Sequence, residues 1–206
     1  AVLLYFRKDI AAILRSWFGQ TIQRKELVGE AKSQARMGWL IIIGSLPIVV
    51  IGYLAQDFIT NELRSLWIIA TMMVVFGFIL GAADRFAPRT KEISQLTVKH
   101  GILYGLAQSL ALIPGVSRSG ATIAMGRALG YSREAALRYS FLLALPAVFG
   151  SGLYELKKAI DEPGIRVFTM SQTLTATFIA FLVGYAVIAW LMRYISTKSF
   201  TPFVIY

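Results

Sequence analysis

Residues 114–120 read PGVSRSG, set in the middle of an otherwise largely apolar stretch, GILYGLAQSLALIPGVSRSGATIAMGRALG, at 101–130. An ionisable group in such surroundings is expensive and is functional by default. The guanidinium of Arg118 is a planar fork that suits phosphate oxygens bidentately. Ser117 and Ser119 flank it with hydroxyls able to donate to the same oxygens, and Gly115 and Gly120 let backbone amides approach a ligand closely. A helix beginning near Ser119 would aim its free N–H groups and the positive end of its dipole at this point. These residue types favour an anion with several oxygens. The plain alternative is that Arg118 snorkels or ties the loop to carbonyls. The Ser–Arg–Ser–Gly context favours the anion site.

No other motif competes. The chain has neither a GxxxxGK[ST] phosphate loop nor GxGxxG. Arg118 and Ser117 are the candidate catalytic residues; Ser119, Gly120, Gly115, Gln108 and Thr122 are the candidate substrate contacts. Gln108, one to two turns before the break, is either a helix–helix hydrogen bond or a site-lining residue. Thr122 and Ser109 also read as packing residues bonded to the backbone. His100, beside Lys99, reads as an interfacial residue and not a base. Asp84, beside Arg85, reads as an interfacial cap or an ion pair. Trp39, Trp67 and Trp190 suit interface or packing roles. Hydrolysis of a phosphoanhydride needs charge neutralisation, often by a metal, and a base or nucleophile. Arg118 supplies the first. Yet no Asp or Glu lies between residues 93 and 133, so the acid–base groups and any metal ligands must come from elsewhere.

The elements that carry this loop are membrane spans. Residues 37–56 and 65–83 are uncharged runs of the length that crosses a hydrocarbon core, and 139–154 (extendable back to Glu134) and 169–192 add two more. Pro47 and Pro146 lie inside spans, which neighbouring helices in a membrane make tolerable. The stretch 101–130 does not read as a span, because its middle breaks it into two half-helices too short to cross. It reads as a re-entrant hairpin that dips in, turns at PGVSRSG and returns to its own side. With that topology sixteen Lys and Arg face one side and four the other, with Arg118 inside. This is a strong positive-inside signal that makes the first side cytoplasmic. A crossing at 101–130 would weaken it.

Composition agrees. Of the 206 residues 56% are hydrophobic and only 16% charged, which excludes a disordered chain. The absence of cysteine excludes disulfides, thiolate metal sites and a Cys nucleophile. The net charge of +10 would suit nucleic acid, but long apolar runs separate the basic clusters. The charge therefore reads as orientation and attraction to anionic headgroups, with no nucleic-acid partner. The expected fold class is an all-α polytopic membrane protein, a single integral domain over 1–206. The opening AVLLYF before Arg7 reads as the last turns of a span, and the closing FTPFVIY as a helix just starting after Pro202. The chain is accordingly expected to be a segment of a longer protein.

LAQSLALIPGVSRSGATI, followed by SREAALRYSFLLALPAVFG, closely resembles the undecaprenyl-diphosphatase family, UppP or BacA, the bacitracin-resistance proteins. The resemblance runs the length of the chain. It implies an enzyme of the bacterial plasma membrane that removes the terminal phosphate of undecaprenyl diphosphate, a polyprenyl diphosphate lipid, and so recycles the carrier for peptidoglycan synthesis. It also implies an inverted-repeat fold with two re-entrant hairpins, a homodimer, and Arg118 as the essential phosphate-binding arginine. The family's glutamate-rich motif and its P-x-S-S-T-G-H stretch are not in this sequence. A divalent cation, Mg or Ca, is therefore expected to be held mostly by ligands outside it, and these 206 residues alone are expected to be inactive. A transporter or flippase for a polyprenyl phosphate is the alternative, because broken helices at the midplane are transporter devices. A scaffold without catalysis would leave Arg118 unexplained.

Overall fold

In the computed structural model, residues 1–55, 58, 59, 62–161 and 169–205 are described. Among these the chain is helical, and its only strand-like pairing is an isolated bridge between Lys91 and Tyr131. A short helix α1 (Val2–Tyr5) turns at Phe6 into α2 (Arg7–Thr21). Four long helices follow in chain order: α3 (Gly29–Leu54), α4 (Leu66–Phe86), α7 (Arg133–Asp161) and α8 (Met170–Ile195). All four are long and apolar enough to cross a membrane. Between α4 and α7 lie α5 (Val98–Ser109) and α6 (Arg118–Ala128), and α9 (Thr201–Ile205) closes the described chain. Each expected span is present. The first is longer than read from the sequence, because nothing in Gly29–Arg36 stops the helix and its charged first turns run on into the apolar stretch. Lys158 and Arg166, counted in the charge balance, lie in part or wholly outside the described residues.

The stretch expected to be a hairpin folds back on itself as two helices. α5 ends in a single 3-10 turn over Leu110–Leu112, and the chain reverses through Pro114–Ser117 before α6 begins. The far ends of the two limbs meet. The N–H of Lys91 donates to the Gly130 carbonyl at 3.0 Å and the N–H of Ser132 donates to that of Lys91 at 2.8 Å. The stretch leading into the hairpin is thereby stitched to the residue leading out of it. Gly130 makes the turn after α6 at φ +89°, a backbone conformation that disfavours side chains.

Small residues let the hairpin sit deep in the bundle. Gly101 and Gly105 form a GxxxG face on α5 that meets α3 at Gly44. A Cβ on Gly105 would collide with the Gly44 backbone, and one on Gly44 would come within 3.0 Å of the Gly101 carbonyl oxygen. Close backbone approach of this kind is how helices associate in lipid, where there is no hydrophobic drive between them. Tyr104, Tyr139, Leu40 and Leu143 fill the space alongside, and the Tyr139 hydroxyl donates to the Leu40 carbonyl at 2.9 Å.

Candidate functional site at the hairpin tip

The tip is built by its two helix ends. Gly115 has φ +94°, and a Cβ there would come within 2.8 Å of the Ile69 Cα. The glycine is thus what lets the loop lie backbone-to-backbone on α4. Ser117 is the N-cap of α6: its hydroxyl accepts from the Gly120 N–H at 3.2 Å. A Cβ on Gly120 would press on the Ser117 side chain at 3.1 Å, so this glycine keeps the cap closed. The N–H groups of Arg118 and Ser119, first in the helix, have no carbonyl of their own helix to bond. The Ser117 and Ser119 hydroxyls stand 3.4 Å apart, both exposed. Arg118 is half-buried, and its guanidinium has no hydrogen bond or ion pair among the described residues. Of the two plain alternatives for Arg118, snorkelling and tying the loop to carbonyls, the second is not seen among the described residues.

Gly115, Ser117, Ser119 and Gly120 line one end of a cavity of about 740 Å³. The rest of its wall is apolar and comes from α4, from Ile123 of α6, and from α9 with Phe200 and Leu191. Polar tip and apolar trough are therefore one continuous space. Arg118 flanks this space without lining it.

The other sequence candidates are not brought to the cavity. Thr122 is buried at 1% exposure, and its hydroxyl donates back to the Arg118 carbonyl at 3.0 Å. It fastens the first turn of α6 from behind. Ser109 does the same on α5, donating to the Gly105 carbonyl at 2.9 Å. Gln108 is fully buried, and among the described residues neither its Oε1 nor its Nε2 has a partner. It makes no helix–helix hydrogen bond there. His100 sits at the open end, with Nδ1 2.5 Å from the Tyr131 hydroxyl.

Asp84 is an ion pair, as expected, though not with its neighbour Arg85 and not at an exposed interface. It is 4% exposed, and its carboxylate accepts from the Nε and Nη2 of Arg133 at 2.6 and 2.7 Å and from the Nε of Arg127 at 3.2 Å. Arg127, which the sequence offers only as one more basic charge, is wholly buried. Its guanidinium also donates to the carbonyls of Ala87, Pro88 and Tyr131. Nothing local marks these partners, which lie 43 and 49 residues from Asp84.

A divalent cation does not fit the residues present. No group of three or more His, Asp or Glu that could hold a metal occurs among the described residues. The tip itself offers hydroxyls, N–H donors and a cation, which is a donor set for an anion.

Fold and tip together define an α-helical integral membrane protein with a helical hairpin whose tip, rich in hydroxyl and N–H donors, meets an apolar trough. The bacitracin resistance protein BacA family matches residues 1–206. The undecaprenyl-diphosphatase of Micrococcus luteus is 57% identical over 207 residues, covering 100% of this chain and 74% of the relative. That of Pseudarthrobacter chlorophenolicus is 54% identical with the same coverage, and that of Paenarthrobacter aurescens 53%. The chain belongs to the BacA family.

Proposed function

We propose that this protein is an undecaprenyl-diphosphatase. Water attacks the terminal phosphorus, the phosphoanhydride bond breaks, and inorganic phosphate leaves undecaprenyl phosphate, the carrier returned to peptidoglycan synthesis. The observation that carries the reading is the junction at the tip: two hydroxyls at a helix N-terminus line one end of an apolar trough, and beside them stands an arginine with no partner among the described residues. A lipid diphosphate has this same division between a multiply charged head and a hydrocarbon tail. Relatives more than half identical over the whole chain bear the name.

Arg118, the Ser119 hydroxyl and the free N–H groups of α6 hold the diphosphate and stabilise charge that develops as the bond breaks. Ser117 closes the cap and offers its hydroxyl to the same head, with Gly115 and Gly120 setting the shape of the loop. Thr122 supports the loop from behind. A Mg or Ca ion would take its ligands from outside these residues. The positive-inside bias supports a bacterial plasma-membrane location with the open end of the hairpin cytoplasmic and the tip toward the extracytoplasmic side. The family resemblance adds a homodimer.

The test is phosphate release from undecaprenyl diphosphate by the protein expressed from its full reading frame and purified in detergent, with and without Arg118→Ala. A hundredfold loss in the variant, or more, is the expected result. No release by the wild type, or equal rates, sinks the reading.

A further inference from the structure

We propose that Asp84 is a positioning residue for the isoprenoid tail: it holds the three walls of the trough in register from the end opposite the anion loop. This rests on the functional reading above. Apart from Leu191 of α8, the walls come from α4, α6 and the segment that begins at Phe200, elements far apart in the chain. Each is tied to the one carboxylate. Asp84 belongs to α4; Arg127 of α6 donates to its Oδ1 at 3.2 Å; the backbone N–H of Phe200 donates to its Oδ2 at 3.1 Å. Arg133, the first residue of α7, grips both oxygens as a fork.

The ties lie at the foot of the wall residues. Leu80 lines the trough one turn before Asp84, Ile123 lines it one turn before Arg127, and Phe200 lines it directly. Residues four apart on a helix share a face, so the carboxylate anchors the face of each wall that meets the tail. α9 lies flat on α4 just above: Gly81 leaves room for Val204, whose Cγ1 would be 3.2 Å from an added Cβ. Asp84 does not reach the head. Arg127 and Arg118 are nine residues apart on α6, about 13 Å at 1.5 Å per residue. Its influence therefore falls on the tail.

A buried charged network is a weak device for stability alone and a well-attested one for fixing register. Here one carboxylate, itself desolvated, faces two guanidiniums and a backbone donor. Asp84→Asn keeps the size of the side chain and an acceptor for Phe200 while removing the charge that gathers the arginines. Arg133→Lys keeps the charge and loses the fork.

The experiment compares undecaprenyl diphosphate with geranyl diphosphate, whose two-isoprene tail is far shorter, using the full-length protein in detergent. Asp84→Asn is expected to raise KM for the long substrate by about tenfold or more while kcat/KM for the short one moves by less than about threefold. Arg133→Lys should show the same split in smaller measure, and it decides the matter if Asp84→Asn fails to accumulate folded. A merely structural role lowers both substrates together; parallel losses, or no change on either, overturn the proposal. A wild type that hydrolyses neither diphosphate fails before any substitution and overturns the functional reading itself.

Discussion

His100 and Tyr131 close the hairpin: the imidazole Nδ1 lies 2.5 Å from the tyrosine hydroxyl, which in turn donates to the Gln95 carbonyl at 3.2 Å. One residue is in the first turn of α5 and the other just beyond α6. With their ends in contact, the two limbs are expected to begin and end on one side of the membrane. The chain has no cysteine, so single cysteines report topology cleanly. Lys99→Cys and Glu134→Cys, both at exposed positions, should react with a membrane-impermeant maleimide from the same side. Reaction from opposite sides would mean that 101–130 crosses.

Where the limbs cross, Gly126 meets the Tyr104 hydroxyl. A Cβ on Gly126 would collide with that hydroxyl and come within 2.6 Å of the tyrosine Cζ and 2.8 Å of the Ala136 Cβ. Gly126→Ala should destabilise the fold by about 1–3 kcal/mol, the usual cost of overpacking. Tyr104→Phe should act in the opposite direction. Its hydroxyl is buried with no partner among the described residues, and removing an unsatisfied group recovers about 1 kcal/mol or more. Thermal unfolding in detergent measures both, and a Tyr104→Phe that melts lower than the wild type would contradict the second.

The open end carries a pH dependence. Burial, followed by the nearby charges of Lys91 and Lys99, holds His100 below its ordinary value of 6.5. Tyr131, pushed up to about 12 by its own burial, stays protonated throughout. A base whose folded value is depressed binds fewer protons folded than unfolded between the two values. Its contribution to stability is complete above 6.5 and declines as the pH falls through that window toward the lower folded value. The melting temperature should therefore drop on acidification from about pH 8 to about pH 5, and His100→Gln should flatten that portion of the curve. An unchanged slope in the variant would assign the dependence to another group.

The sequence carries the spans and the hairpin because both are written locally. Apolar length marks a crossing, and Pro114 with Gly115 marks a break that no helix survives. The cap at Ser117 is equally local, since Ser, Gly120 and the start of α6 lie within one turn. The Asp84 network is not local. Its partners are arginines on other elements, and in a chain with 21 Lys and Arg nothing singles out Arg127 as the one that will be buried. Gly115 shows a subtler gap. Its type suggests close approach to a ligand, and its position also requires close approach to Ile69, a demand set by how α4 packs. The trough is invisible in the sequence for the same reason: it exists only where Phe200 and α9 come back over α4.

Arg118 is the sharpest test of the site because its roles in stability and in binding separate. The guanidinium makes no hydrogen bond among the described residues, so the folded state gains little from it. Arg118→Ala should melt within about 0.5 kcal/mol of the wild type, as substitutions away from packed or bonded features do. A hundredfold loss of rate in the same variant corresponds to about 2.7 kcal/mol of transition-state stabilisation. Arg118→Lys divides that figure. It restores the positive charge at the tip and leaves out the fork, so the activity it recovers measures plain charge and the remainder measures bidentate grip. Activity at the level of Arg118→Ala would place the whole effect in the geometry of the guanidinium. Full recovery would mean that the loop needs a cation and not this one. A large fall in melting temperature for Arg118→Ala would return the residue to a structural role and leave the tip without its anion-binding group.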